Sequence, residues 1–128
     1  MDFLPVFLNL RDRPCAVIGG GEVSARKVSL LLEAGAKVTV YDPEIGPSLT
    51  TLRDAGRVTH RPERFRPEFL DDCVLAIAAT NDETVNRAVH EAAVARRLPV
   101  NVVDNSALCT FIMPSIIDRS PVVAAVSS

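Results

Sequence analysis

The glycine-rich stretch at residues 16–25, AVIGGGEVSA, constrains the fold of this chain more than any other feature. An apolar run ends on three consecutive glycines, and a pattern typical of a helix follows directly. Glycine lets the backbone turn tightly and approach a pyrophosphate, and the first turn of the helix offers free N–H groups to the phosphates. This order predicts the first strand, turn and helix of a dinucleotide-binding unit.

The three glycines follow the dinucleotide fingerprint G-x-G-x-x-G/A with one departure. Gly19 and Gly21 occupy the first two positions, and Ser24 occupies the third. Serine is small enough for the close packing of helix on strand that this position requires. Because the motif alone is weak evidence, a glycine turn in an α/β protein without a nucleotide is the alternative interpretation.

Apolar runs and helical patterns alternate after this unit and predict an α/β fold, a Rossmann-like doubly wound parallel sheet. The predicted strands cover residues 15–18, 37–41, 58–61, 73–79 and 99–103. The predicted helices cover 22–33, 49–55 and a third stretch that is capped by residues 80–82 and runs to about residue 97. The alternation stops at Cys109, and three short strands are predicted at 110–114, 116–119 and 121–126. We expect a dinucleotide-binding domain at residues 1–105 and the start of a short β-rich dimerisation region at 106–128.

Composition and charge narrow the classes of function. The chain has 128 residues, of which 48% are hydrophobic, as is typical of one folded domain. Its net charge of −2 gives no excess of basic residues for binding nucleic acid or a membrane surface. Neither a signal peptide nor a membrane span is predicted. Cys15, Cys73 and Cys109 are isolated among apolar neighbours, which favours small buried thiols in a reducing cytoplasm over disulfides or a zinc site.

Polar residues follow the predicted strands at the edge where a doubly wound sheet binds its ligand. Asp42 ends the second strand a little over twenty residues after Gly19, where an acid can take the ribose hydroxyls of the cofactor. A turn aspartate before Pro43 is the alternative. Thr80 and Asn81 follow the fourth strand, so we expect them at the opening of the cofactor-binding site.

Several stretches together resemble the N-terminal module of sirohaem synthase, the precorrin-2 dehydrogenase that in many members is also the sirohydrochlorin ferrochelatase. They are LPVF at 4–7, RDR at 11–13, GGGEV at 19–23, AIAATND at 76–82, VN at 85–86, NVVD at 101–104 and FIMPSIIDRSP at 111–121. The resemblance spans nearly the whole chain, and its last two stretches are far more specific than the glycines.

The resemblance implies NAD-dependent oxidation of precorrin-2, a tetrapyrrole, to sirohydrochlorin. In many members insertion of ferrous iron follows, with iron as a substrate and without a conventional protein metal site. The resemblance also implies a cytoplasmic homodimer built from the region that begins near Ser106. His60 and His90 have no ligand partner at helical spacing, which is consistent with the lack of a metal site.

The resemblance also assigns roles to single residues. Asp104 matches the catalytic aspartate, a base for dehydrogenation and an acceptor of the protons that iron displaces; a loop aspartate capping a turn near Ser106 is the alternative. Arg119, Asn101 and Ser128 are candidates for substrate binding, with pairing of Arg119 to Asp118 as the alternative. The candidate cofactor site comprises Gly19, Gly20, Gly21, Glu22, Val23, Asp42, Pro43, Glu44, Thr80 and Asn81.

Two other classes of function are alternatives to this dehydrogenase. A non-catalytic NAD-sensing Rossmann domain would explain the glycine loop and Asp42, but it has no reason to carry the 101–104 and 111–121 stretches. A dehydrogenase of small 2-hydroxy acids needs a large substrate domain and a catalytic histidine, for which 128 residues are too few.

Overall fold

The computed structural model describes residues 1–128 and contains one five-stranded parallel sheet with helices on both faces. The strand order is β3-β2-β1-β4-β5. The strands are β1 (Pro14–Ile18), β2 (Lys37–Tyr41), β3 (Thr59–Arg61), β4 (Leu75–Ala78) and β5 (Val100–Val102), and the helices are α1 (Glu22–Glu33), α2 (Pro47–Asp54) and α3 (Glu83–Ala95). The predicted α/β fold is therefore confirmed.

The core lies in two layers because successive side chains of each strand point to opposite faces of the sheet. One face of β1, β2 and β4 packs against α1 and α2 through Val17, Val40, Ile77, Val28, Leu31 and Leu49. The other face packs against α3 and the short helix at Pro67–Leu70 through Ala16, Ile18, Ala78, Val100, Val89 and Leu70. Burial on both faces explains why these strands read as continuous apolar runs.

Local signals start and stop the helices that flank the sheet. The Asp82 carboxylate accepts hydrogen bonds from the N–H groups of Thr84 (2.9 Å) and Val85 (3.3 Å) and so caps α3. The chain leaves α1 through Gly35, whose φ of +82° lies in the left-handed region that glycine enters without strain. These signals were visible in the sequence, and the predicted bounds of α1 and β2 agree with the structure.

The predicted strand at 110–114 is wrong. The Thr110 N–H donates to the Val100 carbonyl at 2.8 Å, but the Val100 N–H donates to the Thr110 hydroxyl oxygen at 2.9 Å. The Phe111 carbonyl then accepts from the side-chain amide of Asn101 at 3.2 Å. Side-chain groups therefore replace the ladder of a strand, and this segment lies beside β5 as an irregular strap.

The other two short strands of the tail form an antiparallel hairpin of β6 (Ser115–Arg119) and β7 (Val122–Val126). All ten residues of the two strands are exposed, including Ile116, Ile117 and Val122. No helix of the chain is both long and apolar enough to cross a membrane.

Candidate functional site

The glycine turn between β1 and α1 has room for a side chain at only one of its three positions. Gly19 adopts φ +134°, and a Cβ there would collide with the Ala79 carbonyl oxygen. A Cβ at Gly20 would collide with the Glu44 carbonyl oxygen. Around Gly21, by contrast, no atom lies within 4 Å of the Cβ position, so this residue borders open space where a ligand can approach.

Ser24 fills the third fingerprint position and adds a hydrogen bond to it. Its side chain is fully buried, and its hydroxyl donates to the Gly19 carbonyl oxygen at 2.7 Å. Ser24, which replaces the usual glycine or alanine, therefore stabilises the glycine turn and is still small enough for α1 to pack on β1.

The first turn of α1 projects from this glycine turn. Gly21 is the N-cap residue and has no side chain to satisfy the first N–H groups of the helix, which leaves them for a ligand. The Glu22 carboxylate accepts a hydrogen bond from the Ser48 hydroxyl at 3.0 Å. Val23 is exposed and lines the cleft described below.

Asp42 lies at the carboxyl end of β2, half-buried, as the cofactor interpretation requires. One carboxylate oxygen, Oδ1, accepts from the Glu44 N–H at 3.0 Å, so the residue also shapes the turn through Pro43. The His60 ring nitrogen Nε2 lies 2.7 Å from the Asp42 carbonyl oxygen and holds the end of β2 against β3. The turn role and the ribose role are compatible because Oδ2 has no hydrogen-bond partner in the chain.

A cleft of about 240 Å³ opens where β4 and β5 end. It is lined by Val23, Ala79, Thr80, Asn81, Glu83, Asn86, Val103, Asp104 and Asn105. The structure therefore brings the predicted base, Asp104, into one cleft with Thr80, Asn81 and the first turn of α1.

Asp104 holds a backbone conformation that non-glycine residues rarely adopt. Its φ is +59°, and the residues on either side are fixed by the bonds Val103 N–H to Ala78 O (3.0 Å) and Asn105 N–H to Val102 O (3.2 Å). Its exposed carboxylate accepts no hydrogen bond from the chain, so the turn-cap alternative finds no bond to support it. Strained residues of this kind concentrate at functional sites.

The three substrate candidates lie outside this cleft. Asn101 is buried on β5, and its amide nitrogen donates to the Phe111 carbonyl. Arg119 is exposed on the hairpin, and Ser128, the last residue of the chain, is also exposed. Arg119 does contact Asp118, as the alternative expects, but through the backbone: the guanidinium donates to the Asp118 carbonyl at 3.1 Å, while the Asp118 carboxylate accepts from the Ser120 N–H and hydroxyl.

The two histidines and the three thiols hold structural positions. His90 Nδ1 lies 2.6 Å from the Leu108 carbonyl oxygen, and no group of three or more His, Cys, Asp or Glu residues is arranged to hold a metal ion. All three cysteines are free. Burial raises the pKa of the Cys15 thiol to about 11 and also raises the pKa of Cys73.

Asn86 is a site residue to which the sequence alone assigned no role. It lies on the buried face of α3 and lines the cleft. The available signal was a polar residue on the apolar stripe of an amphipathic helix, one turn before the buried Val89.

Comparison with known proteins agrees with this geometry. Residues 6–115 match the family described as "Putative NAD(P)-binding". The siroheme synthase of Methylobacillus flagellatus is 59% identical over 128 residues, all of this chain and 27% of that protein, and the siroheme synthase of Nitrosomonas europaea is 57% identical over 129 residues, again 27% of its length. The chain thus spans about a quarter of the curated relatives it matches.

Among solved structures, "SirC, precorrin-2 dehydrogenase" superposes with a TM-score of 0.82 at 24% identity, covering 98% of this chain and 62% of that one. This likeness supports the fold. Since the family match covers most of the sequence and includes the glycine turn, Asp42 and Asp104, the chain belongs to the NAD(P)-binding family.

Proposed function

We propose that this chain catalyses the NAD-dependent dehydrogenation of precorrin-2 to sirohydrochlorin. The observation that carries the proposal is the Asp104 carboxylate, held at positive φ and free of hydrogen bonds in a cleft that also contains Val23 from the first turn of α1. The whole chain is 59% and 57% identical to part of two siroheme synthases, which supports a tetrapyrrole substrate. A non-catalytic NAD sensor needs no free carboxylate in such a cleft.

The residues around the glycine turn fit a dinucleotide. Gly20 and Gly19 have no room for a side chain, Gly21 borders open space, and the N–H groups that open α1 are uncapped, which together form a cradle for a pyrophosphate. The Asp42 carboxylate would bind the ribose hydroxyls and repel a 2′-phosphate, so NAD is the proposed cofactor in preference to NADP. Pro43 and Glu44 would border the same ribose.

Asp104 would act as the base of the reaction. NAD⁺, when bound, accepts a hydride from a carbon of the substrate, and the hydride carries away both electrons of the broken C–H bond. The second hydrogen leaves as a proton, and the Asp104 carboxylate accepts it and releases it to solvent, to which the residue is exposed. Thr80 and Asn81 border the cleft and would hold the nicotinamide half of the cofactor near this carboxylate.

The remaining parts of the proposal concern substrate binding and assembly. Arg119, Ser128 and Asn101 are proposed to bind the carboxylates of the tetrapyrrole, with residues 106–128 as the start of a dimerisation region. An isolated two-stranded hairpin is marginally stable in water, and apolar side chains lie on both faces of this one, which supports pairing with a second copy of the chain. Three free cysteines agree with a cytoplasmic location.

The proposal is tested by supplying the protein with precorrin-2 and NAD⁺ and following NADH formation. Formation of NADH and sirohydrochlorin supports the dehydrogenase, whereas NAD⁺ binding without turnover supports the sensor. A parallel reaction of sirohydrochlorin with ferrous iron tests chelation, the further activity that the resemblance implies.

A further inference from the structure

Asn86 is a buried polar residue on the otherwise apolar inner face of α3, with 8% of its surface exposed. Three hydrogen bonds join its side chain to a single residue, Thr80. Its Oδ1 accepts from the Thr80 N–H at 3.2 Å and from the Thr80 hydroxyl at 2.7 Å, and its Nδ2 donates to the Thr80 carbonyl at 3.0 Å. One amide therefore satisfies both backbone groups and the hydroxyl of the residue that follows β4.

The far end of the same loop is fixed as well. The Asp82 N–H donates to the Thr80 hydroxyl oxygen at 3.1 Å, and the Asp82 carboxylate caps α3. Between these two anchored residues lies Asn81, which is exposed, makes no side-chain hydrogen bond within the chain and lines the cleft with Asp104. The loop thus presents one free polar residue to the cleft on a fixed backbone.

We propose that Asn86 is a positioning residue for the cofactor: by clamping Thr80, it fixes Asn81 at the place where that residue binds the dinucleotide. The inference rests on the proposed function and adds a residue that acts on the cofactor through Thr80 and Asn81. A buried asparagine that served packing alone would stabilise α3 against the sheet, and its loss would lower stability without a separate effect on cofactor affinity.

The Asn86→Ala variant separates these roles when it is compared with Arg96→Ala. Arg96 follows the opposite end of α3, where its guanidinium bonds the Asp71 carboxylate at 2.8 Å and the Ala92 carbonyl at 3.1 Å, so this control also removes side-chain bonds that hold α3. We expect Asn86→Ala to weaken NAD⁺ binding by about tenfold, the scale of losing one hydrogen bond to the ligand. Arg96→Ala should bind NAD⁺ as the unchanged protein does.

A double-mutant cycle with Thr80→Val tests whether Asn86 acts through Thr80. Valine at position 80 removes the hydroxyl that donates to Asn86 Oδ1. The effect of Thr80→Val on NAD⁺ affinity should therefore be smaller in the Asn86→Ala background than in the unchanged protein. Fully additive effects of the two substitutions would overturn the proposal.

Hydrogen exchange at the Thr80 amide gives a readout that needs neither turnover nor cofactor. Its protection should fall in Asn86→Ala and remain in Arg96→Ala. NAD⁺ affinity unchanged in Asn86→Ala despite fast exchange at Thr80, or unchanged exchange itself, would overturn the proposal. If precorrin-2 is not oxidised but NAD⁺ binds, the proposed function fails while these affinities still decide the role of Asn86. If Asn86→Ala does not fold, Asn86→Ser serves in the same comparisons.

Discussion

The Gly46 N–H donates a hydrogen bond to the Gly20 carbonyl oxygen at 2.8 Å and joins the starts of two helices. Gly46 is the N-cap residue of α2, and Gly20 lies just before the N-cap of α1. The bond from Ser48 to Glu22 lies beside it. The loop before α2 therefore packs on the glycine turn, so the fold restricts Gly19 and Gly20, whereas Gly21 borders open space.

Gly21→Val should abolish tight NAD⁺ binding while the protein remains folded. Gly21 has φ −92° and ψ −170°, which valine adopts readily, and no atom lies near its Cβ position. The added side chain would then occupy the space of the pyrophosphate, at a cost in stability of about 1 kcal/mol for the poorer N-cap. Calorimetric titration together with a melting curve measures both effects, and a folded variant that binds NAD⁺ normally would refute this placement.

Gly20→Ala is the comparison at a position that the fold itself restricts, and it should lower the stability of the protein. Its methyl group meets the Glu44 carbonyl, so we expect the free energy of unfolding to fall by about 1–3 kcal/mol, the usual cost of overpacking. A melting temperature equal to that of the unchanged protein would show that this turn is looser than the structure indicates.

Asp42→Asn should reduce the preference for NAD over NADP. The substitution removes the charge that repels a 2′-phosphate but keeps an oxygen that can accept from the Glu44 N–H. We expect the ratio of the two dissociation constants to change by about tenfold, or roughly 1.4 kcal/mol. Titration of both proteins with both nucleotides measures it, and equal or tighter NADP binding by the unchanged protein would contradict the role of Asp42.

Lysine substitutions in the hairpin should weaken self-association. Ile116 and Ile117 point to opposite faces of β6 and are 45% and 51% exposed, so one of the two variants, Ile116→Lys or Ile117→Lys, should weaken a dimer by placing a charge in its interface. Val94→Lys makes the same change at a residue of α3 that is 48% exposed and should have no effect. Sedimentation of the unchanged protein as a monomer at high concentration would count against association.

The Cys15 thiol should make stability depend on pH in the alkaline range. Because burial raises its pKa from 9.0 to about 11, the folded chain keeps a proton that the unfolded chain loses. This contribution to stability is complete below about pH 9 and is lost as the pH rises towards 11. The free energy of unfolding of the unchanged protein should therefore fall more steeply between about pH 9 and 11 than that of Cys15→Ala. An equal fall in both proteins would contradict the raised pKa of Cys15.

Local patterns were sufficient to predict the elements that position the site. The apolar run of β1, the helical pattern of α1 and the Asp82 cap of α3 depend on neighbours in sequence, so their placement followed from the sequence. Asp104 was singled out by the family resemblance, and its place shortly after β5 puts it at the same edge of the sheet as Thr80 and Asn81.

The features that sequence reasoning missed depend on contacts that form only when separate elements of the fold pack together. The strap at 110–114 replaces a strand because the Thr110 hydroxyl reaches the Val100 N–H, ten residues away. The stacking of Phe69 on Tyr41, with ring centroids 4.4 Å apart, joins two rings that lie far apart in the sequence. The clamp of Asn86 on Thr80 likewise appears only when α3 is packed against β4.

The most direct test of the account is single-turnover oxidation of precorrin-2 by the Asp104→Asn variant. Asparagine has nearly the same shape and tolerates the left-handed conformation that Asp104 holds at φ +59°, so the fold and NAD⁺ affinity should be preserved. Asp104→Gly, which relieves the backbone strain, controls for conformation and should be no less stable.

Because both variants lack the carboxylate, the rate of NADH formation per folded molecule should fall by about 10²- to 10⁴-fold, the usual contribution of a positioned base. The melting temperature and the NAD⁺ dissociation constant are measured on the same samples. A variant that binds NAD⁺ and oxidises precorrin-2 at the rate of the unchanged protein would contradict the assignment of Asp104 as the base.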